Sequence, residues 1–162
     1  MKYTFTLLLF SIVVHSSAQQ FQMELDSLIK KIDSSPVANQ ETIDLRNQYI
    51  KQALFANPSD TTLLTFSKKT VDLARDLRYW KGLLVGYERV ALVYQYSFSN
   101  PYKALEYYHK ALGLMEKDKD LQSLGWGIYG GIGTLYYEQE EYGKALEQFK
   151  KVLHNDKNLE LT

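Results

Sequence analysis

Apolar residues recur every three or four positions along most of this chain, and polar residues fill the positions between them. This period is that of an amphipathic α-helix. Polar turns separate the periodic segments, so we predict an all-α fold of antiparallel helical hairpins. The predicted helices cover Ile43–Phe55, Thr61–Leu77, Lys81–Tyr96, Tyr102–Met115, Trp126 to about Tyr137, and about Glu141 to Leu153.

The turns carry the residues that end and begin helices. Asn57-Pro58-Ser59-Asp60 ends the first helix and offers Ser59 or Asp60 as the next N-cap. Pro101 suits the first position of its helix. We interpret the charged run Glu116–Asp120 as a solvated connection between hairpins. Residues 22–32 form a further short helical pattern, which either caps the helical stack or is a mobile leader.

The last two hairpins repeat one pattern. Tyr129 follows Tyr87 by 42 residues, and Ala145 follows Ala104 by 41 residues, the difference being one residue in a turn. A pair of helices that recurs at such a period indicates an α-solenoid. Residues 43–79 form an earlier hairpin with weaker signals, and the repeats that follow it cover residues 80–117 and 121–156.

These repeats resemble the tetratricopeptide repeat (TPR) family, in a longer form than its basic 34 residues. The segment Thr70–Ala74 also resembles the end of a TPR second helix, which makes residues 43–79 a degenerate first repeat. The family pattern of aromatic, small and apolar residues is matched in the last two repeats, with Tyr in place of Trp and no closing proline. By this resemblance the repeat-packing residues are Tyr87, Ala91, Tyr94, Ala104, Tyr108 and Ala111 in one repeat, and Tyr129, Gly133, Tyr136, Tyr142, Ala145 and Phe149 in the next.

The resemblance also implies a concave groove lined by the first helix of each repeat. Such a groove would receive an extended peptide or a partner helix. Alternatively, the same positions face water or a neighbouring repeat. Carried over by alignment, the groove positions are Val85, Glu88, Leu92, Gln95 and Tyr96, then Gly127, Gly130, Thr134, Tyr137 and Glu138.

The N-terminus reads as a secretory signal peptide over residues 1–18. Lys2 is followed by the apolar run Leu7–Val14 and by small residues that permit cleavage after Ala18. The apolar run is about half the ~20 residues that a membrane-spanning helix needs, so we expect export and no permanent membrane span. Residues 19–42 are then a leader, residues 43–156 the repeat domain, and residues 157–162 a polar tail.

Composition excludes several functions. The 19 basic and 19 acidic residues balance, which gives no reason to expect nucleic-acid binding. The chain has no cysteine, so disulfides and thiolate metal sites are excluded. The letters of the Gly125–Gly130 segment match a dinucleotide-binding motif, but no predicted strand precedes it. We interpret Glu138, Glu140 and Glu141 as a solvated turn rather than a cation site, and we expect no cofactor, metal or catalysis.

Two functions follow from these patterns. The first is an exported TPR-type scaffold that binds a protein or peptide through its groove. The second is the sensory input segment of a longer signalling protein, a histidine kinase or a transcription regulator, whose output domain is not in this chain. The last hairpin has no polar capping helix after Leu153, so we expect either a homodimer at that flank or a longer chain.

Overall fold

The computed structural model describes residues 19–35 and 37–155, which are helical with no strand among them. This confirms the predicted all-α class. The predicted signal peptide and the polar tail lie outside the described residues. In order, the helices are α1 (residues 19–33), α2 (Gln40–Ala56), α3 (Leu63–Asp76), α4 (Trp80–Tyr96), α5 (Pro101–Lys117), a 3-10 helix (Lys119–Leu124), α6 (Trp126–Glu138) and α7 (Tyr142–Asn155).

Side chains fix several helix starts. Asn39 caps α2 by accepting a hydrogen bond from the Thr42 backbone N–H at 2.8 Å. Asn100 caps α5 by accepting from the Lys103 N–H at 3.0 Å, directly before Pro101. Each bond satisfies one of the N–H groups that the first helical turn leaves without a partner.

Helices α3 and α6 end in the same backbone turn. Arg78 after α3 and Glu140 after α6 adopt positive φ angles of 51° and 62°. In each case the next residue's N–H bonds to a carbonyl five positions back at 2.9 Å. This is the Schellman arrangement, which glycine usually provides. The sequence offers no glycine at either site, so a small backbone strain is built into both turns.

The charged run Glu116–Asp120 is mostly exposed and connects α5 to α6. Its last two residues begin the 3-10 helix, whose cap is the Asp118 carboxylate accepting from the Asp120 N–H, and Leu121 of this helix is buried. The structure corrects the start of one predicted helix. Helix α3 begins at Leu63, later than predicted. Asp60 forms a side-chain turn with Thr62, 2.9 Å from its N–H, and is not itself the N-cap.

Every helix from α2 to α7 packs against the next one along the chain, with the 3-10 helix lying between α5 and α6. In addition α2 contacts α4, and α4 contacts α6. The largest buried cluster joins α4, α5 and α6 around Tyr108 and Ile128, both fully buried.

Helix α1 belongs to the packed body. Leu25 is buried in one cluster with Ile50 of α2 and Val93 of α4, and Leu28 and Ile32 are also buried. Of the two alternatives for this segment, the structure therefore supports the packed helix over the mobile leader. None of the described helices is long and apolar enough to cross a membrane.

Candidate binding groove

The first helices of the three hairpins, α2, α4 and α6, lie side by side and are joined by polar contacts. Arg89 Nε donates to the Asn47 carbonyl at 3.3 Å, which links α4 to α2. Gln95 Nε2 donates to Glu138 Oε1 at 3.4 Å, which links α4 to α6. The two contacts join residues 42 and 43 positions apart, close to the 41- and 42-residue spacings of the sequence pattern.

All ten predicted groove positions fall on α4 or α6. Their exposure differs widely, and it decides which of them a ligand can reach. Gln95 is buried at 7% exposure, whereas Tyr96 and Tyr137 are 47% and 61% exposed. Glu138 is exposed as well, and the half-buried positions are Val85, Glu88, Leu92, Gly127, Gly130 and Thr134.

The two glycines predicted in the groove differ in their surroundings. The space above Gly127 is taken by the Glu88 carboxylate, whose carbon Cδ would lie 3.0 Å from an added Cβ. Glu88 is held there by Arg89, whose Nη1 lies 3.1 Å from Glu88 Oε1. Nothing lies within 4 Å of a Cβ added at Gly130. Gly130 is therefore the open position of the pair.

A hydrogen-bonded chain connects the core to this surface. The Tyr108 hydroxyl donates to Gln95 Oε1 at 3.4 Å, and the same Gln95 amide donates to Glu138. Burial raises the pKa of the Tyr108 hydroxyl well above its usual range, so it remains a donor at any physiological pH. Gln95 is thus oriented from below by the core and presents its amide to an exposed carboxylate.

The predicted repeat-packing residues divide by exposure, and α7 accounts for the exposed ones. Tyr142 is 59% exposed and packs edge to face with Tyr137, while Phe149 is 37% exposed. The Phe149 ring nevertheless approaches Gly133 so closely that an added Cβ would lie 2.6 Å from it. Buried positions are Ala91, Ala104, Tyr108, Ala111, Gly133 and Ala145, and half-buried ones are Tyr87, Tyr94, Tyr129 and Tyr136.

Two open cavities adjoin on this surface. The apolar cavity, about 510 Å³, lies between the ends of α1, α2 and α4. The acidic cleft, about 410 Å³, lies between the ends of α4 and α6. Tyr96 lines both. The apolar cavity is lined by Phe21, Lys51, Gln52, Leu54, Phe55, Pro58, Leu92 and Tyr96, and the acidic cleft by Gln95, Tyr96, Ser99, Pro101, Leu135, Glu138 and Gln139.

Sequence reasoning found Leu92 and Tyr96 but missed the rest of the apolar cavity. Phe21 lies in α1, outside the repeats, and its ring meets Phe55 at 6.1 Å in an edge-to-face contact. Phe55 is 80% exposed. A helical wheel alone cannot distinguish such a residue from a surface residue without a role. An exposed aromatic residue beside a turn proline was the one available signal.

The described residues include no group of three or more potential metal ligands. The Gly125–Gly130 segment follows the 3-10 helix and opens α6, a context unlike the strand-to-helix turn that holds a dinucleotide phosphate. Comparisons with protein-family models, with curated proteins and with solved structures found no match for this chain.

Proposed function

We propose that this protein is an exported scaffold of the TPR type, an α-solenoid that binds a protein or peptide partner. The hairpins α2/α3, α4/α5 and α6/α7 are its three repeats. The ligand occupies the surface of the first helices, from the apolar cavity across Tyr96 to Tyr137. Binding, without catalysis, is the whole of its activity.

The observation that carries this proposal is the regular contact between first helices. Arg89 with Asn47 and Gln95 with Glu138 connect successive hairpins at nearly the same sequence separation. Repeats that stack in one direction place equivalent faces on a single continuous surface. That surface carries the large exposed rings of Tyr96 and Tyr137, the residue type most enriched where proteins bind partners.

A random peptide library selected on the immobilised protein tests the proposal. We expect enriched peptides whose binding is lost with Tyr137→Ala or Leu92→Ala. Tyr102→Ala is the matched control, because Tyr102 is 83% exposed on α5, outside the groove. No enrichment, or peptides that bind all three variants as they bind the parent protein, would contradict a binding role for this surface.

Export is part of the proposal and rests on the N-terminal sequence alone. Signal-peptide cleavage after Ala18 leaves Gln19, the first helical residue described, at the new N-terminus. Protein recovered from the cell envelope should therefore begin at Gln19 when its N-terminus is sequenced. Full-length protein confined to the cytoplasm would contradict export and leave the groove proposal intact.

The exposed face of α7 supports a homodimer. In α5, Leu105 and Leu112 are half-buried against the cluster that contains Ile128 of α6. Their α7 equivalents, Leu146 and Leu153, are 55% and 59% exposed. We propose that a second copy covers this stripe with its own α7.

The second candidate function is an input segment of a longer signalling protein, and the same α7 stripe favours it. A helix following α7 would cover this stripe in the way that α6 covers α5. Extending the reading frame separates the two candidates. Under the dimer proposal, the extended protein remains a dimer and Leu146 stays at the interface. Under the signalling candidate, α7 of the extended protein contacts no second copy, and the chain continues into an output domain.

A further inference from the structure

The apolar cavity and the acidic cleft meet at a single side chain, and their chemistry differs. Six lining residues of the first are apolar or aromatic, namely Phe21, Leu54, Phe55, Pro58, Leu92 and Tyr96. Its volume of about 510 Å³ falls within the roughly 300–1,000 Å³ typical of ligand pockets. Such a cavity has room for a large apolar side chain, whose burial removes apolar surface of both partners from water.

One basic and one acidic residue belong to these two cavities. Lys51 of α2 lines the apolar cavity, and Glu138 of α6 lines the adjoining cleft. Among the described residues neither forms an ion pair, and Glu138 accepts only the long 3.4 Å bond from Gln95. In the order of the helices, a cation on α2 is followed by the shared Tyr96 on α4 and by an anion on α6.

We propose that the groove recognises an extended peptide segment with a large apolar residue between an acidic and a basic one. The apolar side chain enters the cavity, the acidic side chain meets Lys51, and the basic side chain meets Glu138 on the other side of Tyr96. This inference rests on the proposed function and adds the chemistry of the partner. It also gives α1 a role, since Phe21 forms one wall of the cavity.

The spacing follows from the geometry of an extended chain. Side chains two residues apart point to the same face and lie about 7 Å from each other. Tyr96 lines both cavities, and the proposal places neighbouring same-face side chains of the peptide on either side of it. The expected peptide has five consecutive residues: an acidic one, any residue, an apolar one, any residue, and a basic one. This order runs either from the N-terminus or from the C-terminus of the peptide. The two opposite charges of the groove determine the register and direction of the bound peptide more than its affinity.

Fluorescence anisotropy with labelled synthetic decapeptides tests this pattern. The probes carry leucine in a Gly-Ser background, flanked two residues away by Glu and Lys in both orders, by two Glu, or by two Lys. A fifth probe has serine in place of leucine. We expect one mixed-charge peptide to bind the protein most tightly, and the serine probe to bind at least roughly tenfold more weakly.

Protein variants assign each contact. Phe55→Ala should weaken binding of the leucine probe roughly tenfold and leave binding of the serine probe unchanged. Tyr102→Ala, a control of similar exposure, should alter the binding of neither probe. Glu138→Lys should shift the preference to the doubly acidic peptide, and Lys51→Glu to the doubly basic one. Glu116→Lys makes the same charge change at the far end of α5 and should leave the preference as it is.

The outcomes separate this inference from the proposed function. Equal binding of all four charged probes, or preferences that do not follow Lys51 and Glu138, would overturn the charge pattern. Leucine binding that survives Phe55→Ala would overturn the use of the cavity. If library-selected peptides still bind and depend on Tyr137, the scaffold function stands while this inference falls. If no peptide binds at all, both fall.

Discussion

Three glycines within one turn of α6 give a direct test of how closely this helix approaches its neighbours. Gly130 and Gly131 are adjacent, so substitution by alanine gives each the same gain in helix propensity, about 0.8–1.0 kcal/mol. Their surroundings differ. A Cβ at Gly130 meets nothing within 4 Å, whereas a Cβ at Gly131 overlaps the Tyr108 hydroxyl and lies 2.8 Å from its ring carbon Cε1.

Tyr108 has little room to move away, because its side chain is fully buried between α4, α5 and α6. Forcing an extra carbon into such a core costs about 1–3 kcal/mol. We therefore expect Gly130→Ala to raise the free energy of unfolding by up to ~1 kcal/mol. Gly131→Ala should lower it by ~0–2 kcal/mol, which leaves the two variants about 1–3 kcal/mol apart.

Urea unfolding followed by circular dichroism at 222 nm measures this difference. For slopes of about 1–3 kcal/mol per molar urea, a gap of 2 kcal/mol separates the midpoints by roughly 1 M. Gly133→Ala should fall between the two, because the Phe149 ring that it meets is 37% exposed and can turn outward. Equal stability of Gly130→Ala and Gly131→Ala would refute the close approach of α6 to Tyr108.

Three further predictions follow from single side chains. Glu140→Gly should raise the free energy of unfolding by about 0.5–1 kcal/mol in the same urea assay, because Glu140 has a positive φ of 62° that glycine adopts freely; no change would argue against the turn. The exposed Glu106 carboxyl accepts hydrogen bonds from Lys103 Nζ at 2.7 Å and from Lys110 Nζ at 2.8 Å. These two ammonium groups hold the pKa of the Glu106 carboxyl at about 2. The stability linked to this depressed pKa is present above the unfolded value near ~4.3 and is lost as pH falls through about 2. Lys110→Gln should raise that pKa in a carboxyl NMR titration, and an unchanged titration would contradict the ion pair. Leu146→Lys should convert the proposed dimer to a monomer in sedimentation equilibrium; a monomeric parent protein would contradict the dimer.

Periodicity alone located the helices well. The predicted Lys81–Tyr96 helix is Trp80–Tyr96, and the hairpin from Trp126 onward has its turn at the expected place. Amphipathic patterns succeed here because each helix buries one stripe against the helices adjacent in sequence. The aligned small residues Ala104 and Ala145 are both buried for the same reason.

The remaining features depend on contacts that no local pattern records. The 3-10 helix Lys119–Leu124 begins inside the charged run, where Asp118 caps it and Leu121 is buried. Gly131 leaves room for Tyr108 of another helix, and the Phe21 ring contacts the Phe55 ring. Such pairings are set by the stacking of helices, which is a property of the whole fold.

NMR chemical-shift mapping tests whether the adjoining faces of α4 and α6 bind a peptide, as we propose. An isotope-labelled sample is titrated with the tightest library-selected peptide. We expect saturable shifts concentrated at Leu92, Tyr96, Thr134 and Tyr137, with α5 and the outer face of α7 unaffected. Saturable shifts confined to α5 and α7, with none on α4 or α6, would contradict it.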